Sequence, residues 1–151
     1  MRVAILCGTV YGTAEEVAHH VQDRLRAEGH VVWLDPRGTL DALMSFDPEI
    51  LLAVSSTTGM GELPDNIQPL YYALRDRLPD WRGRLGAVLG LGDSSYGDTY
   101  CGGGMHFQEL FTELGLQILL PMLRLDASET VTPDTDADPW LDDLIAALTN
   151  R

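Results

Sequence analysis

The chain has 151 residues, enough for one domain with a full core of its own, and its 45% hydrophobic and 22% charged content is that of a globular protein. Ten basic side chains against 23 acidic ones leave a formal charge of -13. That balance argues against nucleic acid and anionic membranes, whose phosphates are bound by neutralising cations, and suits docking onto a basic protein.

In chain order, "RVAILC" (2–7) reads as a buried strand. Residues 13–28 read as a helix, because Val17, Ala18, Val21 and Leu25 share one face and Gly29 stands as its stop. "HVVWLD" (30–35) is the second strand, "TLDALMSF" (39–46) a short helix and "EILLAVSS" (49–56) the third strand. "TTGMGELPDN" (57–66) is a loop, followed by a helix over 67–78 that tolerates Pro69 only in its first turn. A fourth strand over 84–93 leads into a glycine-rich loop over 94–104, then a helix over 105–114. A fifth strand is expected over 116–126, an acidic loop over 128–139 and a last helix over 138–149. Such alternation means a parallel sheet covered on both faces, in a single domain over 1–151. Its ligand edge lies beyond the carboxyl ends of the strands, where the loops after strands one, three and four all open.

The first of these loops, "GTVYGTAEEV" (8–17), has the look of a phosphate loop without a cation. An NTPase loop would need a lysine after its second glycine, and Gly8 and Gly12 do not fit the dinucleotide fingerprint. A tyrosine phosphatase would need an arginine where Thr13 stands six residues after Cys7, and a phospho-receiver would need an aspartate where Ser55 and Ser56 stand. What remains is a site of backbone amides and hydroxyls at a helix N-terminus. Thr13-x-x-Glu16 also reads as a capping box, the bland explanation of the same residues.

The other residues that could carry chemistry are few. His19 and His20 point in different directions on their helix, and His30 and His106 are isolated, so no metal is expected. Cys7 reads as a core residue, and Cys101 is open to oxidation only if exposed. No apolar run is long enough to span a membrane and the N-terminus does not read as a signal peptide, so a cytoplasmic location is expected.

Taken together, three motifs carry a resemblance. They are Thr9-x-x-Gly12-Thr13-Ala14-Glu15, then Ser56-Thr57-x-Gly59-x-Gly61-Glu62-x-Pro64-Asp65-Asn66, and Gly90-x-Gly92-Asp93-Ser94-Ser95-Tyr96 with Cys101-Gly102. Over its whole length the sequence resembles the flavodoxins, most closely the short-chain MioC type. The resemblance implies a flavodoxin-like three-layer sandwich with a five-stranded parallel sheet in the order 2-1-3-4-5. It implies FMN as cofactor, its phosphate held by Thr9, Val10, Gly12, Thr13 and Ala14, with Tyr11 at the cofactor site in the same loop. Tyr11 stands where many members carry a hydroxyl residue, which MioC proteins also lack. Ser56, Thr57, Thr58, Gly59, Met60 and Gly61 would run along the flavin ring, with the Gly59–Met60 peptide at its N5. Main-chain groups of Asp93 and Cys101 would reach the pyrimidine edge, with Gly92 beside them at the site, and Tyr96, with Tyr100 as the second choice, would stack on the ring.

The function so implied is electron transfer at low potential rather than catalysis on a small substrate. A flavodoxin or ferredoxin reductase would be the donor and redox enzymes the acceptors, meeting a monomer through an acidic face that includes Glu62, Asp65, Asp93 and Asp98. The alternatives are a flavin-dependent NAD(P)H quinone reductase on the same fold, or a flavin-free regulatory protein that kept it.

Overall fold

A computed structural model describes residues 1–93, 100–126 and 129–151. Strand β1 (Arg2–Gly8) lies inside a parallel sheet, between β2 (Val31–Leu34) and β3 (Ile50–Ser55); β4 (Leu85–Gly92) follows on the far side of β3. With β5 (Gln117–Ile118) beyond β4, the order is β2-β1-β3-β4-β5, as the resemblance implied.

Alternation along the central strands divides the core in two. Val3, Ile5 and Cys7 of β1, with Ile50, Leu52 and Val54 of β3, face one layer; Ala4, Leu6, Leu51 and Ala53 face the other. The first layer is closed by α1 (Thr13–Ala27) and the last helix, through Val17, Ala18, Val21, Leu141 and Leu144. The second is closed by α2 (Leu40–Phe46), α3 (Gln68–Arg77) and α4 (Gly102–Glu113), through Leu43, Leu74, Phe107 and Phe111. A strand buried on both faces must be apolar throughout, which is why these strands read as continuous runs and not as alternating ones.

Three features depart from the sequence reading. Helix α4 begins at Gly102, not at 105, so the glycine run belongs to the helix. A Cβ on Gly102 would stand 2.6 Å from the Gly61 carbonyl oxygen and one on Gly104 3.0 Å from the Gly90 Cα. The glycines are there for close backbone approach, and packing overrides their poor helix propensity. The fifth strand is split into β5 (Gln117–Ile118) and β6 (Leu123–Asp126), both paired to β4. β4 advances from Leu85 to Leu89 while its partner advances from Gln117 to Leu123, so the break holds extra chain. Pro121 sits in that break, where it has no N–H to give the ladder, and its carbonyl accepts from Trp140 Nε1 at 3.1 Å. Finally, the acidic segment expected as loop carries a short helix, α5 (Pro133–Asp136), ahead of α6 (Asp138–Thr149).

Candidate functional site

Since all strands run the same way, the segments after β1, β3 and β4 leave the sheet at one edge. They enclose a cleft of about 370 Å³ lined by Val10, Tyr11 and Thr13, by Ser56, Thr57, Thr58 and Gly59, and by Leu91, Gly92 and Asp93. Asp93 is the one charged side chain among these lining residues.

In the first segment the chain turns at Gly12, whose φ of 93° lies in the left-handed region that an L side chain avoids. Nothing lies within 4 Å of where its Cβ would be, so the conformation, not crowding, demands glycine. Gly12 is also the N-cap of α1, and no side chain caps that helix. The capping box expected from Thr13 and Glu16 is therefore not formed: Thr13 is the first helical residue, one position too late to serve as the cap. Among the described residues the first-turn amides have no side-chain acceptor. Thr9 Oγ1 accepts from the Gly12 N–H at 3.0 Å, which tightens the loop and leaves the Thr9 hydroxyl proton to donate elsewhere.

The second segment is wired into the other two. The Thr57 hydroxyl donates to the Leu91 carbonyl at 2.9 Å and accepts from the Gly103 N–H at 3.0 Å, joining the end of β4 to the start of α4. Residues 58–62 form a closed turn: the Thr58 N–H donates to the Glu62 carbonyl and the Glu62 N–H to that of Thr58, both at 2.8 Å. Gly59 and Gly61 have positive φ within it, and Met60 at its tip is 77% exposed. His106, expected to be isolated, places Nε2 3.1 Å from the Gly61 carbonyl oxygen and so holds the turn from α4.

In the third segment Gly92 lies so close to Cys101 that a Cβ would meet its amide nitrogen at 2.6 Å. Tyr96 lies outside the described residues. Tyr100 lines a separate surface pocket with Arg124, Asp126 and Glu129; burial, then the neighbouring Cys101, pushes its phenol up to about 12. Cys101 is buried at the N-cap of α4, its thiol raised by burial. Cys7 is buried too, and burial with the nearby Glu15 carboxylate pushes its thiol up to about 12. A thiol so held is a poor nucleophile at neutral pH, which agrees with setting aside a phosphatase. Among the described residues no group of three or more His, Cys, Asp or Glu is placed to hold a metal ion.

Comparison with known proteins decides the family. The flavodoxin family model matches residues 5–140. The chain belongs to the flavodoxin family. Flavodoxin YqcA of Escherichia coli is 38% identical over 93% of each chain, and a MioC homolog of Pasteurella multocida is 33% identical over 97% of this chain and 98% of its own. The solved structure of a mutant flavodoxin from Pseudomonas aeruginosa, 65% identical, superposes with a TM-score of 0.95 over 99% of both chains. As a flavodoxin this chain is an electron-transfer protein of a flavin-binding family.

Of the residues expected at the flavin site, the fold of this flavodoxin brings Val10, Tyr11, Thr13, Ser56, Thr57, Thr58, Gly59, Gly92 and Asp93 to the cleft wall. Thr9, Gly12, Ala14, Met60 and Gly61 are not among the lining residues, while Tyr100 lines a separate pocket and Cys101 is buried at the start of α4. Leu91 was not expected there; its place at the carboxyl end of an inner strand was the available signal.

Proposed function

We propose that the cleft holds FMN, with the phosphate on the Thr9–Ala14 loop and the ring between the second and third segments. The carrying observation is the uncapped start of α1 at Gly12, beside the hydroxyls of Thr9 and Thr13. Free first-turn amides and a helix dipole favour an anion, and hydroxyls complete the donor set without a cation. A phosphate that serves only as an anchor needs no lysine, because nothing there has to stabilise phosphoryl transfer. Ser56 to Gly61 would run beside the ring, Asp93 and main-chain groups of Cys101 would serve its pyrimidine edge, and Tyr96 would stack on it.

Bound FMN supplies reversible electron uptake. The chain's own contribution is position and field. The Asp93 carboxylate, with no cation among the described lining residues, disfavours added negative charge in the cleft and so lowers the potential of what is bound there. Exposed Glu62 and Asp65 continue that field onto the surface, which favours a basic reductase and basic acceptors in brief contact with a cytoplasmic monomer.

The test is titration of the purified protein with FMN at micromolar concentration, read by the visible spectrum and flavin fluorescence. Saturable binding is expected; its absence would overturn the reading. If the holoprotein is reduced only through an added flavodoxin reductase it is a carrier, whereas direct NAD(P)H oxidation with a quinone would make it the alternative enzyme.

A further inference from the structure

The residue that ties the cleft together is one that does not line it. Asn66, at the end of the second segment, makes three short hydrogen bonds with its side-chain amide. Oδ1 accepts from the Thr9 N–H at 2.8 Å. Nδ2 donates to the carbonyl of Cys7 at 2.8 Å and to that of Pro36 at 2.7 Å. The amide thus grips β1 just before and just after Gly8 and ties it to the turn that follows β2. Backbone packing at the same spot agrees. A Cβ on Gly8 would stand 3.0 Å from Ile67 Cγ2 and 3.3 Å from Pro64 Cδ, so the chain around Asn66 is the seat on which the first loop rests.

We propose that Asn66 is a positioning residue for the phosphate loop, acting through Thr9. This rests on the reading of that loop as the phosphate holder. With the Thr9 N–H engaged by Oδ1, the residue is turned so that its Oγ1 takes the Gly12 N–H, and Gly12 in turn starts α1 without a side-chain cap. The order of the anion-facing amides is therefore set from the second segment, 57 residues away along the chain. Loss of the side chain lets the first loop relax while the walls at Thr57 to Gly59 and at Leu91 to Asp93 keep their own bonds. The effect should fall on the phosphate and spare the ring.

The experiment compares FMN with riboflavin, which has the ring and no phosphate, on the full chain and on Asn66→Ala. Wild-type protein should bind FMN much more tightly than riboflavin; if it does not bind FMN at all, the functional reading fails, independently of Asn66. In Asn66→Ala the FMN affinity should fall about tenfold or more while that for riboflavin changes less than about twofold, a shift that a general loss of stability would not produce. Asn66→Ser, smaller but still able to bond, should lie between the two and serves if the alanine variant does not fold. Equal weakening of both ligands, or an unchanged ratio in the folded variants, would overturn the proposal.

Discussion

The hydroxyl of Thr57 has one proton and two lone pairs, and the fold uses both kinds of bond to join segments remote in sequence. Thr57→Val keeps the shape and loses both, leaving the Gly103 N–H and Leu91 C=O without that partner. A loss of about 1–3 kcal/mol in urea unfolding is expected, and Thr57→Ser should recover most of it. The thiols set a second expectation. Cys7 and Cys101 are both fully buried and both raised, so a thiol reagent at pH 8 should label neither in the native protein and both in guanidinium. Rapid native labelling of either would contradict the packing. At this scale the sequence was legible where residue type alone sets the conformation, as with the left-handed turn at Gly12 in the first loop. It was not legible where a role depends on a distant partner. Asn66 was visible as a letter of a motif, but its hold on Thr9 and Pro36 needs the folded sheet. The capping box failed for a related reason: the backbone turned left-handed at Gly12 and moved the cap position one residue earlier.

Helix α4 shows what element-level reading can and cannot do. Its apolar face, Phe107, Leu110 and Phe111, marked it as a helix, but its glycines looked like loop because a glycine run lowers helix propensity. Only the neighbours explain them: Gly61, Ser56 and Gly90 leave no room for a side chain. Gly103→Ala, which would have gained helix propensity in isolation, should instead destabilise by about 1–3 kcal/mol, because the added methyl collides with the Ser56 carbonyl oxygen. A more stable alanine variant in urea unfolding would show that the approach is looser than described. The strands were legible almost to the residue, since burial on both faces writes itself as an unbroken apolar run. The break in the fifth was hidden by the apolar run of Leu119 and Leu120, which continues across it. Pro121 was the sign that the ladder could not continue there.

For the whole molecule, charge governs how stability depends on pH. Helix α1 is clasped to α6 by His20 and Arg24, which both reach Asp138, and Arg24 reaches Asp142 as well. The hydrogen bond from His20 comes first, then that from Arg24, in holding the Asp138 carboxyl below its ordinary 3.8. A group lowered in the folded state stabilises the fold fully above its unfolded value and loses that contribution as pH falls through its folded one. Asp138→Asn should therefore lower Tm at pH 7, and the difference should close as pH falls below the lowered Asp138 value. A gap that persists there would assign the effect to packing. The parallel order, the two-layered core and the edge at which the three segments gather were all legible, because they follow from alternation of elements and a shared strand direction. The split edge has one further consequence. A free sheet edge invites a second chain to add a strand. Here one edge offers the four residues of β2, and the other offers two, then Pro121, then four more. Neither gives an incoming strand a long ladder to copy, so crowded copies can meet repeatedly without growing into fibres.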